Sequence, residues 1–204
     1  MRWLTAFCTL VAVVGLVERC PAADPRFPDW PCAQAKVPEI SLAAVWNGPA
    51  LEDATSKWRD DPKVSALIPR LAARRTSLDQ AEKAIVEFLS DADADKKQRG
   101  TLLFAGLFET LNAERSAVMN GLERVTRKQR DAADKVRADT LALQSLQDPT
   151  AKDQAKIEEL GNQLVWETRI FEDRRRVIKF VCEVPTAIDQ RLFAFGRLIQ
   201  QEME

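Results

Sequence analysis

Apolar residues recur at intervals of three, four and seven positions through the second half of the chain, a spacing typical of long helices with one apolar face. The first run covers about residues 96–147, and Asp148-Pro149 ends it because proline disfavours helical backbone in the residue before it. The second run covers about residues 153–202. Its heptad positions hold Ile157, Leu160, Leu164, Phe171, Ile178, Val181, Ile188, Leu192, Phe195 and Ile199. Those of the first run hold Phe104, Phe108, Leu111, Val118, Leu122, Val125, Ala132, Val136, Leu143 and Leu146.

The two runs match when the chain is folded about residues 151–152. Antiparallel pairing then sets Leu146 beside Ile157, Leu122 beside Val181 and Phe108 beside Phe195. So many apolar matches from one fold point predict a mostly α fold built on a long, coiled-coil-like antiparallel hairpin. Pro185 predicts a kink or break near Glu183–Val184, and two collinear helices satisfy the pattern equally well.

Polar residues interrupt the seam between the two predicted helices. They are Arg115, Gln129, Asp139, Glu167 and Arg174. Gln129 is placed beside Arg174, and such a polar seam pair can define the register of a coiled coil. Asp139 and Glu167 fall on a thin, wet part of the seam, so we assign no catalytic residue to them.

The two ends of the hairpin differ in the polarity of their outer faces. Near the base, apolar residues lie outside the seam as well, and a helix that is apolar all round is buried. These residues are Leu102, Leu103, Leu107, Val177, Phe180 and Phe193. Beyond about Leu122 and Arg174 the outer faces turn polar, which predicts a projecting arm of roughly 40 Å.

The residues before the hairpin are predicted to cover its base. Asp61-Pro62 and the capping-box pattern Ser77 to Gln80 start two short helices within residues 62–90, and Pro69 should kink the first. Together with the hairpin they form a helical domain over residues 61–204. Residues 24–60 are rich in proline, so we expect an extended segment with some strand-like character. Its tryptophans Trp30, Trp46 and Trp58 would anchor it on the base.

The first residues have the pattern of a signal peptide. Arg2 is followed by an uncharged apolar stretch from Leu4 to Val17, and Ala22-Ala23 is a small-residue cleavage site. The apolar stretch is shorter than the roughly 20 residues that span a bilayer, which argues against an uncleaved anchor. We expect residues 1–23 to be removed and the protein to be exported. The bacterial periplasm is the favoured compartment, with secretion as the alternative.

Cleavage would leave two cysteines, Cys32 and Cys182. In an oxidising compartment the simplest expectation is one disulfide between them. The alternative is a pair of buried thiols that are not linked.

The composition argues against many kinds of active site. The chain of 204 residues has no histidine, so Ser-His-Asp and Cys-His devices and histidine-ligated metals are excluded. Asp91, Asp93 and Asp95 have calcium-loop spacing, but Lys96 and Leu102 stand where such a loop needs glycine and glutamate. A net charge of −1 gives no general attraction to nucleic acid. We expect no cofactor, no bound metal and no enzymatic activity.

Two features of the arm are candidate contact sites. Trp166 falls on the outer face with Val165 and Ile170, and Leu141 lies at a similar height on the other helix, so these residues could contact a partner. The alternative is that another element of the chain covers Trp166.

The second feature is a basic belt halfway along the arm. It consists of Arg124, Arg127, Lys128, Arg130, Arg174, Arg175, Arg176 and Lys179. The belt could bind an anionic partner, or neighbouring acids could neutralise it. Those acids are Glu123, Asp131, Glu172 and Asp173.

Three functional hypotheses follow. The first is an envelope interaction protein, acting as adaptor, scaffold or holdase, whose arm binds a protein partner. The second is a binder of an anionic ligand, polymer or lipid surface through the basic belt. The third is an envelope enzyme that uses carboxylates alone. The sequence leaves the oligomeric state open.

Overall fold

The computed structural model describes residues 24–146 and 153–204, and over these ranges the chain forms seven α-helices and no strand. The helices are α1 Leu42–Val45, α2 Glu52–Lys57, α3 Pro62–Ala72, α4 Leu78–Ser90, α5 Lys96–Leu146, α6 Gln154–Val181 and α7 Val184–Met203. Short 3₁₀ turns lie at Trp58–Asp60 and Asp93–Asp95. The predicted signal peptide and the tip of the hairpin fall outside the described residues.

Helix α5 packs antiparallel against α6 and α7, which confirms the predicted hairpin. Arg115 forms an ion pair with Asp189 at 2.7 Å, and Lys135 one with Glu167 at 2.5 Å. Both pairs lie within one position of the register predicted from the apolar heptads. Contacts between matching heptad positions therefore hold the two halves of the hairpin in one alignment.

The second half of the hairpin is divided into two helices, as the proline allowed. Helix α6 ends at Val181, and α7 starts at Val184 after a turn at Cys182 and Glu183. Pro185 lies in the first turn of α7, where a helix does not need the N–H group that proline lacks.

The hydrophobic core lies at the base, where α1 to α4 pack on α5 and α7. Leu103 and Leu107 are buried there, as predicted. The predicted burial of Val177, Phe180 and Phe193 is wrong, since all three are exposed. The short helices contact α5 and α7, and so leave the outer face of α6 open to solvent.

Residues 41–60 are less extended than their prolines suggested, because α1, α2 and the Trp58–Asp60 turn lie within them. Two of the three predicted tryptophan anchors, Trp46 and Trp58, lie in the core at the base, whereas the indole N–H of Trp30 donates to the carbonyl of Gln34 within the N-terminal segment. The ring of Trp46 stacks on Phe104 with centroids 4.1 Å apart, and the indole N–H of Trp58 donates to Glu109 at 2.9 Å. Each ring buries a large apolar surface while its N–H remains hydrogen-bonded.

The signals that start the short helices act as predicted. The Asp61 carboxylate caps α3, and Ser77 and Gln80 form a reciprocal capping box at the start of α4. Pro69 lies inside α3 but does not break the helix, which continues to Ala72.

Residues 24–38, which we call the strap, cross the hairpin where α6 meets α7. A disulfide joins Cys32 to Cys182 with their Cα atoms 5.5 Å apart, as predicted. The buried guanidinium of Arg115 donates to the carbonyls of Val37 and Pro38 at 2.7 and 3.3 Å. The strap is thus held both covalently and by charge-assisted hydrogen bonds.

The arm comprises residues 130–146 and 153–173. Among these described residues no side chain is fully buried, and the last buried residue of α5 is Gln129. At about 1.5 Å per residue, the arm extends roughly 25 Å beyond Gln129 along α5. It is a bare pair of helices, whereas the stretch of α5 from Leu122 to Gln129, which the prediction counted in the arm, contacts the strap.

Candidate functional site

Hydrogen bonds and ion pairs satisfy part of the polar seam, while Oε1 of Gln129 and Oε2 of Glu167 are buried without a hydrogen-bond partner in the described part of the chain. The side-chain amide of Gln129 donates to the carbonyl of Phe171 at 2.8 Å. Lys135 lies between Asp139 and Glu167, at 2.8 and 2.5 Å from their carboxylate oxygens. Its ammonium group holds the pKa of Asp139 below the ordinary value by hydrogen bonding. The single ammonium group offsets the charge of one of the two carboxylates, and its contact with Glu167 joins α5 to α6 and can fix the register.

The structure divides the eight residues of the predicted basic belt into three groups. Arg127 and Arg130 point toward the strap and form ion pairs with Asp29 at 2.8 and 2.5 Å. Arg130 also donates to the carbonyl of Pro28. The hydrogen bond from Arg127, followed by that from Arg130, lowers the pKa of Asp29. The strap, not the neighbouring acids, therefore supplies the carboxylate that pairs with these two of the eight basic residues.

A second group of belt residues borders a groove of about 690 Å³ between α5 and α6. Its walls are mainly apolar and are formed by Val118, Gly121, Leu122, Val125, Val177, Ile178 and Val181. Arg124, Lys128 and Arg174 line it as well, together with Asp173. In the described part of the chain, none of these three cations is within 4.0 Å of a carboxylate oxygen.

The three remaining basic residues, Arg175, Arg176 and Lys179, are exposed on α6. Arg176 makes a loose contact with Asp173 at 3.6 Å. Exposed ion pairs of this kind contribute little to stability. Their charge remains available to a partner.

An exposed apolar stripe runs along α6 beside the groove. It consists of Trp166, Ile170, Val177 and Phe180, with Asp173 between the two halves, at intervals of four, three, four and three residues. Trp166 is 64% and Phe180 72% exposed. Residues at these intervals share one helix face, so the four side chains lie on one surface as two apolar pairs with Asp173 between them.

The predicted contact cluster is only partly assembled. Trp166 and Ile170 belong to the stripe, but Val165 points about 100° away from Trp166 on the helix. Val165 and Leu141 are both exposed. Sequence reasoning missed Val177 and Phe180 as surface residues, although Val177 lies seven residues after Ile170 and Phe180 fourteen after Trp166, spacings that indicate one face.

No family model, no curated protein and no solved structure matches this chain, so its function must be argued from the groove and the stripe. Among the described residues, no helix is long and apolar enough to cross a membrane. The same residues contain no cluster of three or more cysteine, aspartate or glutamate side chains placed to hold a metal ion.

Proposed function

We propose that this protein is an exported interaction protein of the cell envelope and that it binds another protein through its helical hairpin. The observation that carries the proposal is the exposed stripe of Trp166, Ile170, Val177 and Phe180 on one face of α6. Contiguous apolar surface of this kind is typical of contact sites, and tryptophan is enriched among the residues that dominate binding energy.

Export is supported by the N-terminal pattern and is compatible with the Cys32–Cys182 disulfide. The attachment of the strap supports a binding role as well. The disulfide, Arg115 and Asp29 join the strap to the first part of the hairpin at three points along its length. A surface presented on a rigid support loses less conformational entropy when it binds.

The proposal is tested by capture from an envelope extract with two triple variants of similar exposed area. One carries Trp166→Gln, Ile170→Gln and Val177→Gln in the stripe. The matched control carries Leu141→Gln, Val165→Gln and Phe193→Gln, which are exposed residues outside the stripe. The stripe variant should lose the captured protein, and the control should retain it.

Both variants should melt close to the wild type, since exposed side chains contribute little to folding. If the stripe variant captures the same protein as efficiently as the wild type, the stripe is not the binding surface and the proposal fails.

A second candidate function is the binding of a small anion or anionic polymer by the cations of the groove. The three groove cations Arg124, Lys128 and Arg174 favour it, because the described part of the chain offers them no ion pair. Binding to inorganic polyphosphate that weakens steeply with salt, and that survives in the stripe variant, would support this function.

A further inference from the structure

The groove and the stripe form one surface. Val177 and Asp173 belong to both, since they line the groove and also lie on the stripe face of α6. From Trp166 to Phe180 the surface runs about 21 Å, or four helical turns. Its length and its heptad spacing match one further helix lying along the hairpin.

Gly121 keeps the groove open. It lies in the middle of α5, where glycine is destabilising relative to alanine. Packing within the chain does not require it, because an added Cβ would meet only the guanidinium of Arg124, at 3.9 Å. By contrast, a Cβ at Gly106 or Gly196 would collide with core atoms. Gly121 is not required by the packing of this chain, and at the wall of the groove it leaves room for a side chain of a binding partner.

The charged residues beside this surface indicate which kind of partner it can bind. Arg174, Arg124 and Lys128 line the groove side, and Arg169 and Arg176 flank the stripe on its other side. The one acid on the stripe face is Asp173, which lies 3.6 Å from Arg176. Apolar contacts bordered by cations on both sides are complementary to an apolar stripe bordered by carboxylates.

The same charges argue against a second copy of this chain. If two α6 stripes packed antiparallel about Asp173, Arg169 would face Arg176 and Arg174 would face its own counterpart. If they packed parallel, Arg169 would face Arg174. In either orientation like charges meet across the interface, which is unfavourable.

We propose that the groove and the stripe bind an acidic amphipathic helix, which would complete a three-helix arrangement with α5 and α6. The inference rests on the proposed function, because that helix would belong to the protein partner. Its apolar residues lie against Val177 and Ile170, and its carboxylates face Arg174 on one side and Arg169 on the other. The recognition mode is that of a helix in a groove. A flat membrane surface would leave the concave part at Gly121 and Val125 unfilled.

The test measures binding of a labelled synthetic helix of about 18 residues by fluorescence anisotropy. The peptide carries leucine at the two apolar heptad positions and glutamate at the flanking ones. A second peptide has lysine in place of each glutamate. The full-length, oxidised protein should bind the glutamate peptide at least about tenfold more tightly than the lysine peptide, because the flanks are cationic.

A pair of glycine variants tests the location. Gly121→Leu fills the groove and should weaken binding of the glutamate peptide by about tenfold or more. Gly161→Leu is the matched control, since no atom lies within 4 Å of an added Cβ at that position on α6. It should bind as the wild type does. Both variants should melt at or above the wild-type temperature, because leucine is a better helix former than glycine.

The inference is overturned if both peptides bind equally, or if Gly121→Leu leaves binding of the glutamate peptide unchanged. It is also overturned if the protein binds vesicles of anionic phospholipid and not the glutamate peptide, or if it forms dimers that the stripe substitutions dissociate. Should the stripe variant lose the captured envelope protein while Gly121→Leu retains it, the proposed function stands and the acidic helix is rejected.

Discussion

At the scale of single residues, side chains of the hairpin separate into those that hold the fold and those that face solvent. Leu122 of α5 is buried in the seam of the hairpin. Trp166 of α6 is mostly exposed, although it lies only a few helical turns from Leu122 along the hairpin. Ile178 occupies a seam position and is still half-buried, because it borders the groove. A seam position therefore does not guarantee full burial where two helices pair without a third.

Leu122→Ala should destabilise the protein by about 2–5 kcal/mol, because it leaves a cavity in the seam. Ile178→Ala should cost less than Leu122→Ala, since part of its side chain already contacts solvent. Trp166→Ala should change the free energy of unfolding by about 0.5 kcal/mol or less. Urea melts of the three variants give these values. Equal destabilisation by Trp166→Ala and Leu122→Ala would place Trp166 in the core.

Glu109 should make the base sensitive to acid. The Arg59 guanidinium, and then the indole N–H of Trp58, hold the pKa of its carboxyl below the ordinary value. Because the pKa is lower in the folded state, the stabilisation is complete above the unfolded value of about 4.3 and is lost as the pH falls through the folded value. Glu109→Gln should be less stable than the wild type at neutral pH.

The difference in unfolding free energy between Glu109→Gln and the wild type should shrink as the pH falls below the unfolded pKa of about 4.3 and through the lower folded value. It should be modest throughout, because Arg59 is largely exposed. Thermal melts at a series of pH values measure it. A difference that stays constant across this range would contradict the assignment.

At the scale of helices, close approach at the base contrasts with open packing along the arm. Gly196 of α7 lies against the backbone of Val45, and Gly106 of α5 against Trp58 and Ile68, so these contacts need a residue without a side chain. Along the arm, α6 has no fully buried residue in its described length. The base therefore supplies most of the apolar burial that stabilises the fold.

Gly196→Ala and Gly161→Ala should have opposite effects on stability. Alanine generally stabilises a helix interior by about 1 kcal/mol relative to glycine, and Gly161 has space for the added methyl group. At Gly196 the methyl group would collide with the carbonyl oxygen of Val45, so the variant should be destabilised. Thermal melts compare the two, and stabilisation by both substitutions would show that α1 does not pack closely on α7.

At the scale of the whole molecule, the strap joins the N-terminal segment to the hairpin. The Cys32–Cys182 disulfide bridges residues 150 apart in sequence. Asp29 adds ion pairs to Arg127 and Arg130, and Lys36 one to Glu123 at 2.5 Å. Together these contacts bring the first described residues onto the root of the arm.

Replacing both cysteines with serine should lower stability by about 4–5 kcal/mol in the chain-entropy model, since the closed loop is long. Non-reducing peptide mapping should first show Cys32 linked to Cys182. Melts of the wild type with and without reductant should then reproduce the loss seen in the double variant. Quantitative alkylation of both thiols without reductant would contradict the linkage.

Local pattern was sufficient to predict the helices from α3 onward, their antiparallel register, the caps at Asp61 and Ser77 and the break before Pro185, but not α1 and α2. These features depend on side-chain periodicity and on residues close in sequence, which one chain displays directly. The disulfide followed from the expectation of export and from the two cysteines that signal cleavage would leave. The exposure of Trp166 was also accessible in this way.

Only the tertiary structure decided which helix faces are covered. Periodicity shows that Val177 and Phe180 share a face with Trp166, but not that α1 to α4 pack on α5 and α7 and leave this face of α6 exposed. It could not reveal that Asp29 neutralises part of the basic belt and leaves Arg174 beside a groove. Such contacts join residues about a hundred positions apart, and their free energy depends on how the whole chain packs rather than on local spacing.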